Sequence, residues 1–216
     1  VGPSATPFAP TYATPRALDE EGIARVIAAF RDAARRALAA GFRLVEVHAA
    51  HGYLLNEFLS PLVNTRTDRW GGPFEHRTRL VLEVVHAVRE VWPAELPLWV
   101  RLSVKDWADG GWDMDDSVRL AALLRDAGVD LVDCSSSGNV AHQRIVAGPG
   151  FQVPFAARIK REAGVATGAV GLITSAEQAE AIVRAGDADV VLLGREALRD
   201  PYVALHAAQA LGAAID

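Results

Sequence analysis

The sequence is poor in the residues that build disulfide scaffolds, thiolate metal clusters and membrane spans. It has one cysteine, Cys134, which alone forms neither an internal disulfide nor a thiolate cluster. No apolar run reaches the roughly eighteen residues of a transmembrane helix. The first residues also lack the basic and apolar regions of a signal peptide. These absences argue against secreted and membrane classes, and a reducing cytoplasm is the expected location.

Positive charge is also scarce. The chain has 22 basic and 27 acidic residues, for a net charge of −5, and no cluster of Lys or Arg. Nucleic-acid binding needs a basic stripe, so no nucleic-acid partner is expected, and no membrane surface either. With 50% hydrophobic residues, the 216-residue chain can build a sizeable core.

Helical and strand patterns alternate along the chain. Apolar residues at a 3.6-residue period predict an amphipathic helix over residues 23–38, which Gly41 would end. Short runs of Val, Leu and Ile predict strands of a parallel sheet buried on both faces. The predicted strands are 44–47, 98–102, 129–134, 165–169 and 190–193. Further helices are predicted at about 80–91, 116–127, 154–163 and 176–185, with a last one from residue 201.

Two of these helix starts carry local signals. Pro201 suits the first turn of the last helix, and Thr174 to Glu177 has the spacing of a capping box.

Alternating βα units leave two architectures, a doubly wound open sheet and a (β/α)8 barrel. The predicted strands start about 36 residues apart, so eight units would need about 290 residues. We therefore expect a single α/β domain over residues 1–216 that represents about five of the eight units of a TIM barrel, incomplete or a fragment. An autonomous five-stranded open sheet is the alternative.

Both architectures bind ligands at the carboxyl ends of their strands, and two histidines and a tyrosine follow the first one. As neutral imidazoles, His48 and His51 can donate N–H bonds to a carbonyl oxygen, and Tyr53 can supply a proton. The alternative is a pair of buried histidines bonded to backbone carbonyls. No metal is expected, because the pair lacks the HExxH arrangement and an evident third ligand.

The later strand ends have the composition of an anion site. Gly171 and Gly194 let backbone N–H groups approach a ligand, and Arg195 adds positive charge where barrels often hold phosphate. Glycine after a strand is also ordinary turn chemistry. Arg101 ends an apolar strand and needs an electron-rich partner, either a ligand or a neighbouring carboxylate such as Asp133.

Two further residues raise other enzyme classes. A phosphate-binding barrel isomerase or aldolase is a further alternative. Lys105 would suit a Schiff-base aldolase, but it precedes Asp106 in a polar loop, whereas catalytic lysines need desolvation. Cys134 is more consistent with the core than with a nucleophile, because its strand buries it and no histidine follows closely.

Six segments carry a family resemblance: HAAHGYLLNEFLSP at 48–61, NTRTDRWGG at 64–72, VRLS at 100–103, DCSS at 133–136, ATGAVG at 166–171 and GREALRDP at 194–201. In these segments the sequence resembles the old yellow enzyme family of FMN-dependent ene-reductases, in its thermophilic-like bacterial branch. The resemblance covers nearly the whole chain, and its first segment is highly specific.

The resemblance implies an NADPH dehydrogenase that reduces the activated C=C bond of a small enone or enal. A hydride from NADPH would pass through FMN N5 to the β-carbon, while Tyr53 protonates the α-carbon. The substrate carbonyl would be held by the segment from His48 through Ala49 and Ala50 to His51.

The resemblance also implies the cofactor contacts. Arg101 would lie beneath the flavin N1/O2 edge, where its charge stabilises the anionic reduced flavin. The ribityl chain and phosphate would be met by Ser135, Gly171, Gly194 and Arg195.

The chain departs from the family by lacking its first three βα strands, together with their flavin and substrate contacts. A second functional hypothesis therefore stays open, a non-catalytic barrel fragment that cannot hold FMN. Association is expected in either case, as a homo-oligomer or with a chain that supplies the missing strands.

Overall fold

Five parallel strands form one sheet in the computed structural model, which describes residues 1–214. The strands are β1 Val45–Ala49, β2 Leu98–Ser103, β3 Leu131–Ser135, β4 Ala166–Ala169 and β5 Val190–Val191. Each strand pairs with the one before it in the chain. A parallel sheet whose spatial order equals its chain order is a segment of a (β/α)8 barrel, whereas a doubly wound sheet reverses its order. The predicted barrel architecture with five units is confirmed.

Helices connect the strands along the chain. They are α1 Glu20–Ala39, α2 Leu54–Leu59, α3 Phe74–Arg77, α4 Arg79–Arg89, α5 Met114–Asp126, α6 Val153–Ala163, α7 Ala176–Ala185, α8 Arg195–Arg199 and α9 Val203–Ala210. Within residues 1–214, none of them has the length and apolar character needed to cross a bilayer. The predicted strands and long helices all exist, while α2, α3 and α8 are too short to show a helical period in the sequence.

Both local helix signals were wrong in detail. Helix α9 begins at Val203, so Pro201 lies before the helix rather than in its first turn. Ser175, not Thr174, is the N-cap of α7, and its hydroxyl accepts a hydrogen bond of 3.2 Å from the backbone N–H of Gln178. Two adjacent hydroxyl residues offer two capping registers, and the sequence motif does not distinguish them.

The two faces of the sheet differ in chemistry, which corrects the prediction of strands that are apolar on both faces. The face beneath the helices is fully apolar in β2, where Leu98, Val100 and Leu102 are completely buried. The opposite, inner face carries polar and charged groups because strand side chains alternate. The titratable groups of this face in β1 to β3 are Glu46, His48, Arg101 and Asp133, and the hydroxyl residues Ser103 and Ser135 lie on the same face.

The loops that follow β1 and β3 cross at two glycines. Gly52 has φ +72° and Gly138 has φ +118°, both in the left-handed region. A Cβ atom on Gly52 would lie 2.1 Å from the carbonyl oxygen of Gly138, and one on Gly138 would lie 2.1 Å from the carbonyl carbon of His51. The crossing therefore excludes any side chain, and it fixes the loop that carries His51 and Tyr53.

This crossing predicts a difference between two glycines of almost equal backbone conformation. Gly110 has φ +71°, and a Cβ atom on it would have nothing within 4 Å, so Gly110→Ala should cost only the left-handed strain, about 1 kcal/mol. Gly52→Ala should cost about 3 kcal/mol or more, because it adds the collision with Gly138. Denaturant unfolding of both variants measures the difference. Equal losses of stability would show that the crossing is not tight.

Candidate active site

The strand ends present the predicted site residues along one arc. His48 on β1 is the direct register partner of Arg101 on β2, and Arg101 is the partner of Asp133 on β3. Ser135 ends β3, Gly171 follows β4 and Gly194 follows β5. Neighbouring strands are about 4.8 Å apart, so the arc from β1 to β5 spans about 19 Å. An extended ligand can reach from one end of this arc to the other.

Three rings cluster at the β1 end of the arc. The ring centroids of His48 and His51 are 5.3 Å apart, as are those of His48 and Tyr53, and both pairs meet edge to face. Tyr53 is 63% exposed, so its hydroxyl faces open space rather than the core. Ala49 and Ala50 have no exposed surface, which limits their predicted part in substrate binding to spacing the two histidines.

The backbone of His51 is held in an unusual conformation. Its φ of +60° lies in the left-handed region, which non-glycine residues rarely adopt. Its N–H donates to Ser103 Oγ at 2.8 Å, and Ser103 Oγ donates to the carbonyl of Ser137 at 2.6 Å. The sequence did not predict this role of Ser103, although a polar residue at the last position of a strand was a usable signal.

Ser135 contacts His51 directly, with 2.5 Å between Oγ and the imidazole Nε2. This contact links the tautomer of His51 to the direction of the bond: when the hydroxyl donates, the imidazole proton resides on Nδ1, and when Nε2–H donates, the hydroxyl accepts. Ser135 was predicted to meet the cofactor, and in this structure its nearest polar partner is the histidine.

The histidines are held in the neutral state. Burial, followed by the positive charge of Arg101, lowers the pKa of His48, and the same causes with a contribution from His48 lower the pKa of His51 to about 4. Both rings are then uncharged near neutral pH, and each has one N–H to donate. Neutral imidazoles are the form that the predicted carbonyl polarisation requires.

Arg101 has the carboxylate partner that the sequence suggested. Its Nε lies 2.5 Å from Oδ2 of the completely buried Asp133, as an ion pair without the alignment of a hydrogen bond. Burial raises the pKa of Asp133 to about 7, although the charge of Arg101 opposes this rise. Several buried polar atoms on the inner face have no hydrogen-bond partner within residues 1–214, namely His48 Nδ1, Arg101 Nε and both carboxylate oxygens of Asp133.

The two glycines at the β4 and β5 end of the arc differ in whether the structure requires glycine at their positions. Gly171 has φ +123°, and a Cβ there would lie 2.9 Å from side-chain atoms of Phe151 and Gln152, so backbone conformation and packing together explain this glycine. Gly194 has φ −92° and nothing within 4 Å of a Cβ position, so neither conformation nor packing in residues 1–214 requires glycine there. Arg195 beside it is exposed and makes no ion pair within the same residues.

A cleft of about 760 Å³ opens beside Tyr53. One wall is the proline-rich segment 6–15, where Phe8 and Tyr12 meet edge to face at 5.2 Å. Glu57 also lines the cleft, and burial raises its pKa to about 7. The sequence predicts no role for this segment, because it has no periodicity and its position depends on the distant pairing of Gly2 with Ala17.

Lys105 and Cys134, which suggested other enzyme classes, lie outside the cluster of three rings. The Lys105 ammonium stands over the Trp107 ring, 5.1 Å from its centroid. Cys134 is completely buried, and burial raises its thiol pKa, so it stays protonated and unreactive. No group of three metal-ligating side chains occurs among residues 1–214.

Sequence comparison finds a matching family. The profile of the NADH:flavin oxidoreductase / NADH oxidase family matches residues 4–213. The NADPH dehydrogenase of Geobacillus thermodenitrificans is 51% identical over 216 residues, which are 100% of this chain and 63% of that protein. The NADPH dehydrogenase of Bacillus subtilis is 46% identical and aligns with 99% of this chain and 62% of its own length. The chain thus spans about 63% of the length of such relatives.

Solved structures with the same fold include two reductases. A 2-naphthoyl-CoA reductase complex superimposes with a TM-score of 0.90 at 28% identity, covering 99% of this chain and 33% of that one. Morphinone reductase in complex with tetrahydroNAD gives a TM-score of 0.79 at 28% identity, covering 100% of this chain and 60% of that one.

The low pKa of His51 predicts a ring that does not titrate near neutrality. A base whose pKa falls to about 4 in the folded state stays neutral until the solution is far more acidic than the ordinary histidine midpoint of about 6.5. The ¹⁵N shifts of His51 should therefore be constant from about pH 5.5 to about pH 8. NMR of ¹⁵N-histidine-labelled protein tests this, with His51→Gln to assign the signal. A midpoint between about pH 6 and 7 would contradict the neutral-donor interpretation.

Proposed function

This chain belongs to the NADH:flavin oxidoreductase / NADH oxidase family, and we propose that it is the C-terminal barrel portion of an FMN-dependent ene-reductase. The proposed reaction is NADPH-dependent reduction of the activated C=C bond of an α,β-unsaturated carbonyl compound. The observation that carries this proposal is the cluster of His48, His51 and Tyr53 beside Arg101 at the carboxyl ends of parallel strands. Residues 1–216 would form one domain.

The residues present fit the proposed flavin. The unpartnered His48 Nδ1 on β1 and the partly exposed guanidinium group of Arg101 on β2 suit the polar ring of the cofactor, and the open glycine Gly194 with Arg195 suits its phosphate. Arg101 would lie at the ring edge, and Gly171 and Ser135 between the two ends. FMN supplies hydride-transfer chemistry when bound, taking the hydride from NADPH and delivering it to the β-carbon of the alkene.

The residues of the chain would activate the alkene through its carbonyl group. His48 and His51 donate N–H bonds to the carbonyl oxygen, and these bonds strengthen as negative charge develops there. Removing one such preorganised donor typically costs about 3 kcal/mol of transition-state stabilisation, or some hundredfold in rate. Tyr53 then donates its hydroxyl proton to the α-carbon, from a position at the mouth of the cleft.

We place the enzyme in the cytoplasm, where NADPH is supplied, with a small enone or enal as its substrate. The proposal includes association, either as a homo-oligomer or with the strands that complete the barrel, because the chain covers about 63% of its relatives' length.

Visible absorbance tests the proposed function. Purified protein should retain or take up FMN, and its yellow absorbance should bleach with NADPH in the absence of oxygen and return on addition of an enone. Intact-mass analysis of the same material identifies the polypeptide that holds the flavin. Colourless protein that ignores added FMN would instead support a non-catalytic barrel fragment.

The proton-donor assignment makes a separate prediction. Tyr53→Phe should slow enone reduction by about a hundredfold or more, because general acid catalysis typically contributes that much. It should leave flavin reduction by NADPH almost unchanged, because no proton is delivered in that half-reaction. Stopped-flow measurement of the two half-reactions separates these effects. Equal slowing of both would remove Tyr53 from the proton-donor role.

A further inference from the structure

We propose that Asp133 is a positioning residue for Arg101: it holds the guanidinium group by its Nε edge and sets how much positive charge the flavin ring meets. This inference rests on the proposed function. It concerns a buried carboxylate that the reaction itself does not use.

The sheet fixes the geometry of the pair. Arg101 and Asp133 are direct register partners on β2 and β3, so their side chains leave the sheet side by side on the inner face. The distance of 2.5 Å joins Nε of Arg101 to Oδ2 of Asp133. Asp133 is completely buried, whereas the side chain of Arg101 is 25% exposed. The carboxylate is therefore the anchored member of the pair, and the guanidinium group extends from it.

The contact through Nε leaves the other end of the guanidinium group free. The group carries five N–H donors in a rigid fork, and its shortest contact with Asp133 is through Nε. Within residues 1–214, the two terminal nitrogens of Arg101 make no hydrogen bond, and neither is among the fully buried polar atoms without a partner. The free end of the fork is thus open to a planar ligand edge that is rich in acceptors.

Among residues 1–214, three other titratable groups share this space with the pair, those of Glu46, His48 and His51. Glu46 on β1 shares the inner face, and its charge raises the pKa of Asp133, as burial does. His48 and His51 face the same space from β1 and its loop, and burial, followed by the charge of Arg101, lowers the pKa of both. On β4 the register partner of Asp133 is Gly168, which carries no charge. Asp133 is therefore the titrating group closest to the guanidinium.

The net charge of the Arg101–Asp133 pair therefore depends on pH. A carboxyl group whose pKa is raised to about 7 is neutral in mild acid and ionised in mild base. When Asp133 is neutral, it leaves the positive charge of Arg101 uncompensated, and that charge would stabilise an anionic reduced flavin. When Asp133 is ionised, it offsets that charge and lowers the flavin potential.

Midpoint potentials of the flavin-loaded protein test the charge effect. Asp133→Asn is isosteric, keeps an oxygen beside Nε and removes the titration. At about pH 8.5 its potential should lie above that of the unaltered protein by about 30 mV, which is a tenfold change in the two-electron equilibrium. At about pH 5.5 the two proteins should coincide, because Asp133 is then protonated. No difference at the higher pH, or an equal difference at both pH values, would overturn the charge effect.

FMN affinity tests the anchoring effect. Asp133→Ala removes the oxygen beside Nε and should weaken FMN binding about tenfold more than Asp133→Asn, measured by quenching of FMN fluorescence. A purely structural role would lower the melting temperature of both variants and leave the FMN dissociation constant of the folded protein unchanged. Equal affinities of the two variants would overturn the anchoring effect.

An ion pair next to the other end of β3 provides the control. Asp130, just before β3, pairs with Arg89 at 2.6 Å and lies at the opposite end of the strand from the site. Asp130→Asn should change neither the potential nor the affinity. If the unaltered protein binds no flavin, the proposed function fails and this inference fails with it. If it binds flavin and Asp133→Asn behaves as Asp130→Asn does, only the inference fails.

Discussion

The parallel register of β1, β2 and β3 is the constraint on which the site depends. It places His48, Arg101 and Asp133 in one row across the inner face. Because strand side chains alternate, a slip of one residue in either pairing would move a member of this row beneath the helices. The apolar residues of the opposite face, such as Val100 and Leu102, prevent that slip, since it would expose them. The apolar core thus fixes the strand register, and the register determines which side chains lie together in the site.

The loops add the second level of precision. His51 and Tyr53 lie beyond the end of β1, where no strand ladder holds them. The glycine crossing of Gly52 with Gly138 and the hydrogen bond to Ser103 take over that task. These contacts join the β1 loop to the end of β2 and to the loop that follows β3. The three rings are thus positioned by the same three strands that align the charged row.

The sequence was sufficient to predict the alternating βα order, the parallel sheet and the residues at the strand ends. Each of these follows from local periodicity and from the rule that ligands meet the carboxyl ends of parallel strands. It was not sufficient for contacts that depend on tertiary geometry. Examples are the contact of Ser135 with His51 and the cleft wall around Phe8. The sequence also did not predict that apolar and polar side chains alternate along the strands. In a strand as short as β1, a single charged residue such as Glu46 does not establish a two-residue period.

A crystal structure of the protein with FMN and a phenol tests the central claim most directly. We predict the phenol oxygen within hydrogen-bonding distance of both His48 and His51, the flavin ring edge at the free end of Arg101, and the phosphate beside Gly194 and Arg195. A flavin bound away from this arc, or a phenol oxygen that contacts neither imidazole, would contradict that claim.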